Sequence, residues 1–432
     1  MRVFAGSLLG CLVLVSTAAS AGEIDQARLH AAAVALEPKV IAWRRDIHQH
    51  PELGNREFRT AALVASHLES LGLEVRTGIA HTGVVALLEG GRPGPLVALR
   101  ADMDALPVTE QTGLPFASRV TTEYEGQRTG VMHACGHDAH TAILMGVAEL
   151  LAAQRDTLPG SVLFIFQPAE EGAPEGEEGG AELMLKEGLF EWRRPAAVFG
   201  LHVFSTLTAG HIGYRSGPAM AASDRFEIRV AGRQTHGSRP WGGIDPVVPA
   251  AQVVLGLQTV ASRQVDISRV PAVISVGSIH GGIRNNIIPD DVTLVGTIRT
   301  FDEAIRDDIH ARVETTARHI AEASGARAHV HIHRGYPVTA NDPALVAATL
   351  PSLARVVGEE RLYEVPLVTG AEDFSYFANE VPGFYFFLGA TPEGVDPATA
   401  PSNHSPHFDV DESTLRVGVE ALATVALDYL GR

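Results

Sequence analysis

The sequence predicts an α/β fold: a mostly parallel sheet interrupted by an inserted, ferredoxin-like α+β unit. Three observations carry this. From about residue 55 to 202, apolar runs suited to buried strands alternate with helical patterns, the rhythm of a parallel sheet layered with helices. Between about 215 and 330 the order changes to β-α-β-β-α-β, a self-contained two-layer pattern. The first rhythm then resumes to the C-terminus. The 432 residues are too many for one compact core. The expected division is 1–21, 22–214, 215–330 and 331–432.

The first stretch reads as an export signal. Arg2 gives a short positive start, residues 3–15 are almost wholly apolar, and Ala19-Ser20-Ala21 offers a small-residue cleavage site. The expected location is periplasmic or secreted. A lipoprotein signal, with Leu8-Leu9-Gly10-Cys11 as the attachment box, ranks below it because the apolar run continues past Cys11. The run is too short for a membrane span, and no other stretch is long and apolar enough for one. The chain has two cysteines, so removing the signal leaves Cys135 alone and excludes an internal disulfide framework. Hydrophobic content of 45% allows sizeable cores, and a formal charge of −17 argues against a nucleic-acid partner.

Residues 23–50 read as one or two helices stopped by Pro51, with His48-Gln49-His50-Pro51-Glu52 taken as a polar helix end. Residues 55–71 are amphipathic, with Asn55 as the expected cap. Buried strands follow at 84–88 and 96–99, the second running into Arg100-Ala101-Asp102-Met103-Asp104. The stretch His133-Ala134-Cys135-Gly136-His137-Asp138-Ala139-His140 precedes a helix at 141–154. A strand at 161–167 ends in Pro168-Ala169-Glu170-Glu171, followed by an acidic Gly/Pro-rich loop, and a strand at 196–201 ends at His202. In the middle segment, strands at 224–231, 273–279, 292–300 and 326–333 enclose helices at 243–263 and 302–324. A helix at 343–357, a strand at 384–388 and a helix at 412–430 complete the chain.

Three successive strand ends therefore carry Asp104, Glu170 with Glu171, and His202. Functional groups in open α/β sheets gather where strands end. Cys135 and His137 flank Gly136, whose backbone freedom lets both side chains aim at one point. Thiolate and imidazole suit zinc and other borderline ions. Taken alone, that pair fits a packing role as well as a metal. Of the tandem carboxylates, one could bind metal while the other takes a proton from water; an acidic surface loop is the plainer alternative. His202 alone reads as a core histidine and His404 as a surface one. Asp102 and Asp104 are placed to ligate or to orient a ligating imidazole.

Together the motifs resemble the co-catalytic metallo-aminoacylase and carboxypeptidase family, in its amidohydrolase branch of hippurate hydrolases, auxin–amino-acid conjugate hydrolases and N-acyl-amino-acid deacylases. The markers run in the expected order: 44–52, 100–107, 132–140, 167–171, Gly200-Leu201-His202 and Gly370-Ala371-Glu372-Asp373-Phe374. The resemblance extends from about Trp43 to the C-terminus. Where family peptidases often carry His-x-Asp, this chain has Asp102-Met103-Asp104, and the Cys135 thiolate compensates. The stretch 173–178 is longer than the Gly-rich loop of many relatives.

The resemblance implies a metallohydrolase domain with an inserted lid and dimerisation domain. It makes Cys135, His137, Glu171, His202 and His404 the ligands of two divalent ions (Zn, Mn, Co or Ni). Glu170 matches the general base and Asp104 the carboxylate that orients a ligand. His236 matches a histidine that reaches an active site, often a partner subunit's, while Asn286 and Arg299 match substrate-side positions. For these last three, polar groups of turns and strand ends remain an open alternative. His133, Asp138 and His140 are left supporting, loop or helix-start roles. The implied substrate is an N-acyl or N-aroyl amino acid (hippurate-like) or a short peptide, and the implied assembly a homodimer or larger. The alternatives are an exported dipeptidase or carboxypeptidase, and a noncatalytic metal-holding peptide-binding protein.

Overall fold

The computed structural model describes residues 26–432; the expected export signal, with Cys11, lies outside the described residues. The chain begins with helices α1 (Gln26–Gln49) and α2 (Phe58–Ser70). Six strands of a large sheet follow: β1 (Glu74–Ile79), β2 (Gly83–Glu89), β3 (Arg92–Asp102), β4 (Pro159–Gln167), β5 (Ala197–Thr208) and β6 (Ile212–Tyr214). Helix α3 (His137–Ala152) lies between β3 and β4. The insertion supplies strands β7 (Ala222–Ala231), β8 (Ala272–His280), β9 (Asp291–Thr300) and β10 (Arg327–Arg334), with helices α4 (Val247–Thr259) and α5 (Glu303–Ala323). Helix α6 (Pro343–Val357), strands β11 (Leu362–Glu364) and β12 (Gly383–Thr391), and helix α7 (Ser413–Leu430) return to the large sheet.

The eight-stranded sheet has the order β1-β2-β4-β3-β5-β12-β6-β11. Its central run, β4-β3-β5-β12, is parallel throughout. Both faces are covered, which explains unbroken apolar runs in place of alternation. The period of two still sorts the side chains. Val97, Leu99, Phe164, Phe166, Phe384 and Phe386 enter one core with α1, α3 and α7. Ala98, Leu163, Ile165, Tyr385 and Phe387 enter the other, against the short helices Gly180–Lys186 and Phe374–Glu380. The insertion forms an antiparallel sheet in the order β8-β9-β7-β10. Phe226, Ile228, Leu294 and Ile298 pack there against Val253, Leu257, Ile309 and Val313 of its two helices. No helix among the described residues is long and apolar enough to cross a membrane.

Three local expectations need correction. Asn55 does not cap α2: its side-chain amide donates to the Glu178 carbonyl and the Glu177 carboxylate. The first free N–H groups of that helix, Arg59 and Thr60, bond instead to the Glu52 carboxylate, both at 2.9 Å. Strand β5 does not stop at His202, because Val203 and Thr208 continue the pairing with β12. Helix α3 starts at His137 rather than residue 141. Gly136 caps it at φ 94°, and a Cβ there would lie 2.3 Å from Val203 Cγ2. Only glycine satisfies both demands.

Candidate metal centre

Strands β3 and β4 are parallel neighbours paired Asp102 to Gln167, so the residues just beyond them emerge side by side. Asp104 comes from the first and Glu170 and Glu171 from the second. His202 projects from the middle of β5. Cys135 and His137 stand either side of the glycine that opens α3. His404 arrives on the loop before α7, in a left-handed conformation at φ 72°, its N–H bonded to the Ala134 carbonyl at 2.7 Å. The adjoining Asn403 ties the set together. Its amide donates to the carbonyls of Cys135 (3.1 Å) and Val203 (3.0 Å), and its oxygen accepts from Ser205 N–H.

Five side chains meet there in two overlapping groups. Cys135, His137 and His202 form one; Cys135, Glu171 and His404 form the other, and in each the ligand atoms lie within 4.8 Å of one another. Cys135 Sγ is 3.4 Å from His202 Nε2 and 3.3 Å from His404 Nε2. His404 Nε2 stands 2.9 Å from Glu171 Oε1. Glu170 Oε2 is 3.8 Å from His137 Nε2.

The donor set fits divalent ions. His137 Nδ1 faces the Asp104 carbonyl at 2.8 Å and His202 Nδ1 faces the Val203 carbonyl at 2.8 Å. Carbonyls only accept, so both rings carry their proton on Nδ1 and turn the Nε2 lone pair inward. His137 Nε2 is buried without a hydrogen bond, a cost that a cation would relieve. Burial, then the Glu171 and Glu170 carboxylates, push the Cys135 thiol well up, so its thiolate needs a positive neighbour. His140 takes no part. Its Nε2 accepts from Val203 N–H at 2.8 Å, and its Nδ1 lies 2.6 Å from Asp102 Oδ1. The other Asp102 oxygen accepts from Arg100 at 2.6 Å, so both its oxygens already have partners.

Asp104 orients three groups at once. Its carboxylate accepts from the Glu170 and Glu171 N–H groups, each at 3.0 Å, and lies 3.2 Å from His137 Nδ1. Ala169, left-handed at φ 51°, is held in turn by Glu57, whose carboxylate accepts its N–H at 2.9 Å. Beneath the site, Arg100 is fully buried against Asp102, Glu372 and Asp373. Burial, then Glu372 and Glu171, hold Glu170 well above the usual carboxylate range.

His48, expected at a polar helix end, is buried instead. It lies 2.9 Å from Asp138 Oδ2 and 3.2 Å from Glu110 Oε1, and Arg44 shares the same Asp138 oxygen at 2.8 Å. This cluster anchors α1 to the first turn of α3, next to His137. Although burial opposes it, Asp138 and Glu110 raise His48 to about 9. The folded value exceeds the unfolded one, so the stabilisation is full below about pH 6.5 and disappears as pH rises through 9. A shift of that size corresponds to about 3 kcal/mol. The stability gap between wild type and His48→Gln, from urea unfolding of metal-free protein, is therefore expected to narrow from pH 6 to pH 9.5; a constant gap would refute the imidazolium.

A cavity of about 550 Å³ opens over the centre, bordered by Cys135, Glu170, Glu171, His202, Arg299 and Tyr336. The Arg299 guanidinium is partly buried there, with no side-chain hydrogen bond or ion pair among the described residues and with Asp224 as its charged neighbour. His236 and Asn286 are not brought to this cavity. They sit together on the insertion, where Gly237 N–H bonds to the Asn286 carbonyl, and His236 is exposed with Nδ1 accepting from Ser238. Asn286 Oδ1 is buried without a partner. The sequence reading gave no role to Asn403 or Tyr336. Asn403 is the sequence neighbour of His404; Tyr336 has no local signal, because its partner is remote in sequence.

The sequence pattern of peptidase family M20/M25/M40 matches residues 98–428. Thermostable carboxypeptidase 1 of Saccharolobus solfataricus is 40% identical over 396 residues, covering 91% of this chain and 96% of that protein. N-acetyl-L-cysteine deacetylase of Bacillus subtilis is 37% identical over 380 residues, covering 88% of this chain and 85% of that protein. The crystal structure of the Bacillus subtilis YXEP protein, a dinuclear metal binding peptidase from the M20 family, matches with a TM-score of 0.76 at 35% identity, covering 91% of this chain and 98% of that one. By pattern, by relatives and by fold, the chain belongs to peptidase family M20/M25/M40 and is an amidohydrolase or peptidase of that family.

Proposed function

We propose that the chain hydrolyses the amide bond of N-acyl or N-aroyl amino acids, hippurate-like compounds among them, releasing a carboxylic acid and an amino acid. The observation that carries this is the pairing, in one cavity, of a buried Glu170 beside the metal-ligand groups with an unpartnered Arg299 on the wall. A guanidinium with no carboxylate at ion-pair distance suits the free carboxylate of an amino acid. A carboxypeptidase and an N-acyl deacetylase among the relatives fit the same substrate shape.

Cys135, His137, Glu171, His202 and His404 would hold two divalent ions, of zinc, manganese, cobalt or nickel. Bound there, such ions supply Lewis acidity, making water a nucleophile at neutral pH and polarising a carbonyl. Asp104 holds the Glu170–Glu171 turn and the His137 ring in place. Glu170 takes the proton of the attacking water on its carboxylate and returns it to the leaving amine. Arg299 holds the amino acid's carboxylate. His236 and Asn286, together on the insertion, act on the site of a partner subunit in a homodimer or larger assembly. The mature enzyme works outside the cytoplasm after loss of residues 1–21, which N-terminal sequencing of the exported protein tests.

The second reading is a carboxypeptidase or dipeptidase, which the carboxypeptidase relative favours. Metal-free mature protein, reconstituted with each ion in turn, separates the two on hippurate, acetyl-amino acids, indole-acetyl-amino acids and dipeptides. Acyl-amino acids are expected to turn over fastest. Cleavage confined to dipeptides would replace the proposal with the second reading, and binding without turnover across the panel would reduce the protein to a binder.

A further inference from the structure

The backbone of Glu170 is held on both sides, at its N–H and at its carbonyl. Its N–H donates to Asp104 Oδ1 at 3.0 Å, and its carbonyl accepts from the Tyr336 hydroxyl at 2.7 Å. Asp104 and the turn carrying Glu170 both belong to the large sheet's body. Tyr336 comes from the other side, two residues after β10, where the chain leaves the insertion.

The neighbours of Tyr336 fix it to the insertion. Gly335 N–H bonds to Asp224 Oδ1 at 3.2 Å, and the Gly335 carbonyl accepts from Arg306 at 3.0 Å. Asp224 and Arg306 themselves form a buried pair at 2.5 Å between β7 and α5. The Tyr336 carbonyl accepts from Ser223 N–H at 3.0 Å, on the strand by which the chain enters the insertion. Val338 N–H reaches Glu303 of α5 at 3.1 Å. A tilt of the insertion therefore carries Tyr336 with it. The hydroxyl remains a donor, because burial, then Asp373 and Glu170, hold its pKa well above the ordinary range.

We propose that Tyr336 is a positioning residue that makes the orientation of the insertion a determinant of where Glu170 stands over the substrate. The inference rests on the reading of Glu170 as the base. It assigns Tyr336 no contact with substrate or metal: its hydroxyl hydrogen is spent on the Glu170 carbonyl. Its effect on turnover must therefore pass through Glu170.

The test is Tyr336→Phe in the full, cobalt-loaded chain, which deletes one oxygen and keeps the ring. The expected result is kcat lower by about tenfold, since small displacements of a reacting group carry large rate costs, with KM within about twofold of wild type. The cobalt–thiolate absorption should not change, and the melting temperature of the metal-free protein should fall only by the small amount that one buried hydrogen bond accounts for, which separates positioning from a general loss of structure. Added to Glu170→Gln, Tyr336→Phe should leave the residual rate where it is, because two changes acting through one group do not multiply. Wild-type kcat in Tyr336→Phe, or a further loss in the double variant, would overturn the inference while Glu170 stands as base. Full turnover in Glu170→Gln would remove the base assignment, and the inference with it.

Discussion

Glu170→Gln is expected to lower kcat by about a thousandfold, within the range for loss of a positioned general base, while the chain keeps its fold and its metal. Glutamine matches glutamate in shape but cannot take a proton. The site already favours an uncharged side chain here: burial, then Glu372 and Glu171, resist the carboxylate. The amide therefore removes the charge that these neighbours oppose, and the variant's metal-free melting temperature should equal or exceed that of wild type. Glu170 stands in a third group with His137 and Glu171 but in neither group that contains Cys135; on its reading as base, bound metal, read by elemental analysis, should stay at the wild-type level. Near-normal turnover with metal present would end the role of Glu170 as base. A dead variant that had also lost its metal would reassign Glu170 as a ligand.

Cys135→Ala is expected to weaken metal binding by at least about a hundredfold and to remove the cobalt–thiolate absorption. Cys135 is the one side chain common to the two groups that contain His202 and His404. Its loss leaves His137 with His202 on one side and Glu171 with His404 on the other. Two ligands hold a divalent ion far less well than three. The metal-free variant should still fold, because a buried small thiol is replaced by a smaller apolar group. Equilibrium dialysis against a metal buffer measures the loss. Wild-type affinity in the variant would show that the imidazoles and the carboxylate suffice, leaving Cys135 a packing role.

The fold was legible wherever a hydrophobic run met a polar break. Val97 to Leu99 opening into Asp102, and Ile165 and Phe166 opening into Glu170, marked two strands that lie side by side in parallel. The insertion was legible because its strands alternate, with Phe226, Ile228 and Val230 facing its helices. Local chemistry misled where a distant group did the work. Asn55 looks like a cap, yet Glu52 supplies the acceptor. His48 looks like a solvated helix end, yet Asp138, ninety positions later, encloses it. Of the candidate site, the Glu170–Glu171 pair beyond β4 and the Cys135–His137 pair around Gly136 were visible in the residues themselves, while His202, in the middle of β5, and His404, on a loop, joined the set through the family resemblance. The restraints on them were not visible: Asn403 acts across 268 positions on Cys135, and Tyr336 across 166 on Glu170. No periodicity records a bond of that range.

The loop that delivers His404 sets an order on the birth of the protein. His404 stands 269 positions beyond Cys135, close to the end of the chain. During synthesis the thiol and His137 emerge long before the residues that complete their surroundings, and the insertion must be made in between. A growing chain therefore passes through a long interval with a nucleophilic thiol, exposed carboxylates and no closed cage for an ion. Long-range closure of this kind comes late in folding. On the reading of these residues as ligands, metal capture is a finishing step, and a chain halted before His404 would carry the chemistry of the centre without the means to hold it.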